Sequence, residues 1–254
     1  MNPIRQNLGT LFTKTSTIRG LYITGEAGNS KSYEVYKYLA ESKIKYKLIT
    51  ARVSNLALYM TLYKHKQDVL VFDDVYFDRT ISTDLIKGAL NQKGIVNWLT
   101  TSDRLDEETP AEFEFKGKII IITNDGLKET TKFYPLLSRM YTMEKNLSFD
   151  EYLVISESMC VLRSVEFKGI KEHISPFLKH RDLRNINKAI DYTLSNNLNL
   201  IPGLFKVDEE LEYIHKLFEK GLYSKQIKVS WCDMFDKSHR SYYRTLKRYK
   251  MLVP

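Results

Sequence analysis

Gly25, Glu26, Ala27, Gly28, Asn29, Ser30, Lys31 and Ser32 stand between an apolar run, Leu21, Tyr22 and Ile23, and a segment with helical spacing at Val35 and Leu39. The order predicts strand, turn, helix. A turn that wraps a triphosphate must point its backbone N–H groups inward, and glycine allows the close approach and the φ > 0 angles this needs. Lys31 would then reach the β- and γ-phosphates of ATP, and the Ser32 hydroxyl would ligate Mg2+ at the positive end of the new helix. Ser30 stands where a glycine normally precedes the lysine, and binding is expected to survive with Ser30 at a negative φ. The plain alternative is a surface turn ahead of a helix that happens to hold a lysine.

Further along, residues 68–74 place four apolar residues before the paired carboxylates Asp73 and Asp74. A continuous apolar run of this length predicts a buried strand of a parallel sheet, and the carboxyl ends of such strands are where these sheets place ligands. Asp73 would hold Mg2+ through its water shell, while Asp74 would lie near the γ-phosphate and polarise the attacking water. Residues 115–124 predict another buried strand, ending in Thr123 and Asn124, and the Asn124 amide can hydrogen-bond the γ-phosphate or the lytic water. Arg139, between apolar neighbours at the start of a fifth strand, could stabilise charge on a neighbouring subunit's γ-phosphate. A surface salt bridge is its bland alternative.

The elements that must carry these groups follow from spacing. Residues 45–50 read as a short strand, and Leu56, Met60 and Tyr63 recur as one helical face. Residues 82–91 predict a helix capped by Ser82 or Thr83. Residues 94–101 read as extended, and residues 102–111 as a polar loop. Residues 1–19 show no clear periodicity and read as a polar arm, with Leu8, Leu11 and Phe12 placed near the nucleotide base.

The ordered set of residues 25–32, Asp73-Asp74, Asn124 and Ser138-Arg139 resembles the AAA+ ATPases, especially the initiator, helicase-loader and clamp-loader types. In that resemblance the set matches Walker A, Walker B, sensor 1 and the arginine finger in turn. Residues 96–124, with Trp98, Pro110, Phe113 and Phe115-Lys-Gly, look like replication ATPases of phages, plasmids and archaeal viruses. The resemblance covers residues 15–200 and implies an α/β fold, a parallel sheet flanked by helices with a small helical lid. Many such ATPases have Glu where Asp74 stands, which bears on the rate of hydrolysis. The lid would run from 148 to 203, with helical patterns at Phe149, Tyr152, Leu153 and Ile155, and at Ile170, Ile174, Phe177 and Leu178. Leu183, Ile186, Ala189 and Ile190 mark one face of a third helix. Arg184, off that face, looks like the lid arginine called sensor 2, with Arg181 the competing choice.

Turn formers and Pro202-Gly203 mark a boundary, giving an ATPase core (1–147), a lid (148–203) and a tail (204–254). In the tail, Leu211, Ile214, Leu217 and Phe218 mark one helix. Ile227, Trp231, Met234 and Phe235 mark a second, capped by Ser224, and Tyr242, Leu246 and Tyr249 a third, capped by Ser238. Residues 237–250 hold six Lys or Arg and no acid. The tail resembles a helix-turn-helix of the resolvase or homeodomain-like kind, whose second helix enters the major groove of DNA. Lys237, Arg240, Tyr243, Arg244, Lys247 and Arg248 are its candidate DNA contacts. Asp236 sits at a turn position where glycine is common, and Asp tolerates the left-handed region better than most residues.

The 254 residues carry a formal charge of +8, which suits a nucleic-acid partner. Cys160 and Cys232 form neither a disulfide framework nor a zinc pattern. No apolar run approaches a bilayer span, so a soluble, cytoplasmic protein without a membrane partner is expected. The composite expectation is an ATP- and Mg2+-dependent protein that oligomerises with ATP at the subunit interface and binds DNA. It would serve replication of a viral or mobile genome, with a helicase or other replication protein as a further partner. A transposition helper ATPase and a nucleotide-gated DNA-binding regulator are the alternatives.

Overall fold

The computed structural model describes residues 2–50, 52–75, 81–98, 105, 109–124 and 134–253. They form two compact units, Met1–Asn146 and Leu147–Pro254. The first opens with helix α1 (Pro3–Phe12), whose start is set by Asn2: its side chain accepts from the Ile4 N–H at 2.9 Å. Pro3 follows at a position where a missing N–H costs nothing. Ile4, Leu8 and Leu11 are fully buried in the sheet core. This corrects the polar arm expected for residues 1–19, because 4, 8 and 11 are one helical stripe whose polar neighbours mask its period.

There follow β1 (Gly20–Thr24), α2 (Lys31–Glu41), β2 (Tyr46–Ile49), α3 (Asn55–Lys64), β3 (Val69–Asp73) and α4 (Ile81–Leu90). Next come β4 (Ile95–Asn97), β5 (Glu112–Glu114), β6 (Lys118–Ile122), α5 (Tyr134–Leu137) and β7 (Met140–Glu144). Five strands make one parallel sheet in the order β2-β3-β6-β1-β7, and β4 and β5 pair separately as an antiparallel ribbon. Strands β3 and β6, paired with each other inside the sheet, feed both faces by strict alternation. Val69, Val71, Ile120 and Ile122 join the α1 and α2 side, while Leu70, Phe72, Ile119 and Ile121 join the α3 and α4 side. At about 1.5–3 kcal/mol for each buried side chain of this kind, these strands anchor the unit.

Two details differ from expectation. Helix α3 buries Leu58, Tyr59 and Leu62 rather than the stripe at Leu56, Met60 and Tyr63. The segment is apolar nearly all round, so the docking partner and not the period selects its face. Helix α4 begins at Ile81, so residues 82 and 83 lie inside its first turn. Of the stretches expected to be extended or looped, residues 99–104 and 106–108 lie outside the described set.

The second unit begins with α6 (Phe149–Leu162). Ser148 caps it by accepting from the Glu151 N–H at 3.1 Å, and the Glu151 carboxylate accepts from the Ser148 N–H at 3.0 Å. Then come α7 (Lys168–Lys171), α8 (Leu183–Leu194), two short 3-10 turns, α9 (Glu209–Glu219), α10 (Ser224–Phe235) and α11 (His239–Leu252). The helical pattern expected through Ile170, Ile174, Phe177 and Leu178 stops after one turn: the His173 and Ile174 N–H groups donate to the Ile170 and Lys171 carbonyls as tighter turns, and Pro176 bars Ser175 from helical angles, so no helix resumes before Leu178. Ile170, Ile174 and Leu178 stay in the α6–α8 core, whereas Phe177 is buried in the α9–α11 core. Beside it, Leu178 and Val207 form an antiparallel bridge, and the Asp208 N–H donates to the Phe177 carbonyl at 2.7 Å. No helix among the described residues is long and apolar enough to cross a membrane.

Candidate functional site

Three parallel strands end together, and their ends carry the chemistry. Strand β1 runs into the turn at residues 25–30, β3 ends in Asp73 followed by Asp74, and β6 leads through Thr123 to Asn124. The Asp74 N–H donates to the Ile122 carbonyl and the Thr123 N–H to the Ile23 carbonyl, both at 2.9 Å, which holds these ends in register. Lys31, only 5% exposed, donates from Nζ to the carbonyls of Gly25 at 2.8 Å and Glu26 at 2.7 Å, and to Asn124 Oδ1 at 3.0 Å. Asn124 in turn donates from Nδ2 to both Asp74 oxygens at 2.9 Å. Ser32 Oγ donates to Asp73 Oδ1 at 2.9 Å. Lys31, Asn124 and Asp74 thus form one hydrogen-bonded chain and Ser32 and Asp73 a second, both gathered where these strand ends meet the start of α2.

The loop's backbone is tightly specified. A Cβ on Gly25, whose φ is +143°, would lie 2.0 Å from the Lys145 carbonyl oxygen, so this position accepts only glycine. The Glu26 N–H donates to Asn146 Oδ1 at 3.1 Å, and buried Asn29 donates to the Lys145 carbonyl at 3.3 Å, so β7's end buttresses the loop. Ser30 does not keep the expected negative φ: it is left-handed, at φ 58° and ψ 16°. The loop retains the turn that glycine would adopt, and serine bears the cost, roughly 1–2 kcal/mol, of its Cβ meeting the carbonyl.

Tyr36 was not singled out by sequence. It lies one helical turn after Ser32, and its hydroxyl donates to Asp73 Oδ2 at 2.5 Å. Its ring is half-buried and stacks on Tyr46, with centroids 6.0 Å apart and planes within 6°. Burial first, then the Asp73 carboxylate, push the phenol well above its ordinary range, so it stays a donor. The i, i+4 spacing of Ser32 and Tyr36 was the available signal.

Arg139 follows α5 directly before β7, half-buried, with Nη1 donating to the Pro135 carbonyl. A cleft of about 610 Å3 opens beside it, lined also by Thr17, Asn91 and Ser138. Arg184 and Arg181 belong to the second unit. Arg184 grips the Asp182 carboxylate with Nε and Nη2, and Arg181 donates to the Leu147 carbonyl at 2.8 Å.

In the tail, Asp236 adopts the left-handed angle at φ 47°, and the Ser241 N–H donates to Ser238 Oγ at 3.3 Å. Tyr242, Thr245 and Tyr249 face inward, with Leu246 only partly buried. Ser224 is the first residue of α10 rather than its cap. The Tyr223 N–H ahead of it donates to the Gln226 side chain at 3.0 Å, and Met234 is exposed. The basic residues divide into two sets. Lys237 pairs with Glu210, and Arg248 with Asp208 at 2.6 Å, both acids at the start of α9. Arg240, Tyr243, Arg244 and Lys247 share an exposed face, with the Lys228 ammonium 5.8 Å from the centre of the Tyr243 ring.

No family model matches the chain. An uncharacterized 36.7 kDa protein of Enterobacteria phage T4 is 33% identical over 156 residues, a match covering 54% of this chain and 48% of that protein. The chain therefore spans about half the length of that relative. Among solved structures, a RuvB mutant of Thermotoga maritima superposes with a TM-score of 0.55 at 13% identity, over 93% of this chain and 81% of that one. The replication initiator DnaA, bound to AMPPCP and single-stranded DNA, gives 0.52 at 11% identity, over 85% of this chain and 66% of that one. NtrX from Brucella abortus, in complex with ATP, gives 0.52 at 12% identity, over 100% and 68%. The five-stranded parallel sheet flanked by helices, with a helical region after it, is an α/β fold that the chain shares with these RuvB, DnaA and NtrX structures.

Proposed function

We propose that the protein binds and hydrolyses ATP, assembles with ATP between its subunits, and binds DNA in replication initiation or helicase loading of a viral or mobile genome. The observation that carries this reading is the convergence of Lys31, Ser32, Asp73, Asp74 and Asn124 at one sheet edge. The residues fit Mg·ATP as substrate. Ser32 and Asp73 offer hard oxygen donors 2.9 Å apart, suited to a cation that keeps most of its waters. Lys31 supplies the ammonium for the β- and γ-phosphates, and the start of α2 adds the helix dipole. Asp74 is the base that orients water, and Asn124 the amide that senses the γ-phosphate. The DnaA and NtrX structures with nucleotide, and DnaA's single-stranded DNA, support the nucleotide and nucleic-acid parts of this reading. The phage T4 relative supports a viral setting.

The test is phosphate release with and without duplex DNA. Turnover stimulated by DNA is expected in the wild type, and Asp74→Asn should bind an ATP analogue normally yet lose turnover. The pairing of both Asp74 oxygens with Asn124 favours a second reading, a DNA-binding regulator gated by nucleotide without turnover. Tight analogue binding with no phosphate released under either condition would decide for it.

For the tail, the exposed face of α11 is the DNA-contacting surface in this reading. Arg244→Ala should weaken duplex binding and reduce the salt slope by about one. Arg248→Ala should leave that slope unchanged and lower the tail's stability instead, since its guanidinium serves Asp208. Titration at two salt concentrations separates them, and equal slopes for both variants would remove α11 from the interface.

A further inference from the structure

Asp73 is held by two hydroxyls from one helix: Ser32 on Oδ1 at 2.9 Å and Tyr36 on Oδ2 at 2.5 Å. A carboxylate with one partner can rotate about its Cβ–Cγ bond. With both oxygens engaged from the same face of α2, its plane is fixed. The Tyr36 hydroxyl is itself fixed, because the ring packs against the core on the α1 and α2 side of the sheet and stacks on Tyr46 of β2, the strand beside β3. Phenylalanine would satisfy that core and that stack equally well. The hydroxyl is therefore what the carboxylate uses.

We propose that Tyr36 is a positioning residue for Asp73, fixing the carboxylate so that its Oδ1 stays with Ser32 and the pair is preset to receive Mg2+ together with the nucleotide. The inference rests on the nucleotide-site reading given above. Its test is titration of a fluorescent, non-hydrolysable ATP analogue on the full chain, with Mg2+ varied and with EDTA present. Tyr36→Phe should raise the half-saturating Mg2+ concentration roughly tenfold, the lower end of what losing an outer partner of a metal ligand costs. Affinity in EDTA should stay at the wild-type value, and the thermal midpoint should fall by no more than the loss of one hydrogen bond to a carboxylate allows. An unchanged or lowered Mg2+ requirement overturns the proposal, as does equal weakening with and without metal, which would mark a packing role only. Asp73→Asn separates the two levels of argument: if it leaves the Mg2+ requirement unchanged, Asp73 is not the metal carboxylate and both readings fall. If it raises the requirement while Tyr36→Phe does not, only the positioning role falls.

Discussion

Lys31→Ala should abolish binding of ATP and its analogues. The lysine is the first residue of α2, its side chain is nearly sealed from solvent, and its ammonium lies among three oxygens of the loop and of Asn124. An incoming triphosphate offers that ammonium anionic oxygens in place of two carbonyls and an amide, adding an ion-pair attraction that neutral acceptors lack. Alanine removes the cation and also leaves the Gly25 and Glu26 carbonyls without this donor, at a cost of roughly 1–3 kcal/mol. Some loss of thermal stability should therefore accompany the loss of binding. The measurement is an analogue titration at a temperature where the variant is still folded by circular dichroism. Wild-type affinity in the folded variant would sink the nucleotide-site assignment.

The second large effect concerns Arg139. Its change to Ala should leave ATP binding by the isolated subunit nearly intact and remove most turnover, since an arginine finger contributes ~10³ or more in rate. The guanidinium commits Nη1 to the carbonyl of Pro135 in its own chain. That contact orients the fork without neutralising its charge, and a guanidinium has five N–H donors to distribute. Mixing Arg139→Ala with Lys31→Ala subunits should restore part of the activity, because one interface can then combine an intact loop with an intact finger. Phosphate release from mixtures whose assembly is shown by light scattering is the readout. No recovery in such mixtures would count against a site shared between subunits.

The loop and the strand ends were legible because they are contiguous. Residues 25–32 form a single segment, and the apolar runs before Asp73 and Asn124 announce buried strands whose ends can only lie at a sheet edge. What escaped depends on how one element is rotated against another. The i, i+4 spacing places Tyr36 on the same face of α2 as Ser32, but that this face meets Asp73 depends on the phase of α2 over β3. The left-handed turn at Ser30 escaped for another reason: the backbone there is dictated by the closure of the loop, and serine has no intrinsic preference for it. In the tail, the run of six basic residues reads as one stripe. Which of them are neutralised depends on Asp208 and Glu210, acids set on another helix by the packing of α9 against α11.

Phe177 bears on how much of this chain could be transplanted. Pro202-Gly203 looks like a natural seam, yet the α9–α11 core includes a side chain contributed from before it, and the Val207 backbone is laced to Leu178. A fusion joined at that seam would carry the three tail helices without their Phe177 plug, leaving a cavity that costs about 3–5 kcal/mol when an aromatic is lost from a core. The donor body would be left with the same ring uncovered. Residues 147–254 keep both helical cores whole, so exchange between relatives is expected to succeed at that junction before it succeeds at the proline.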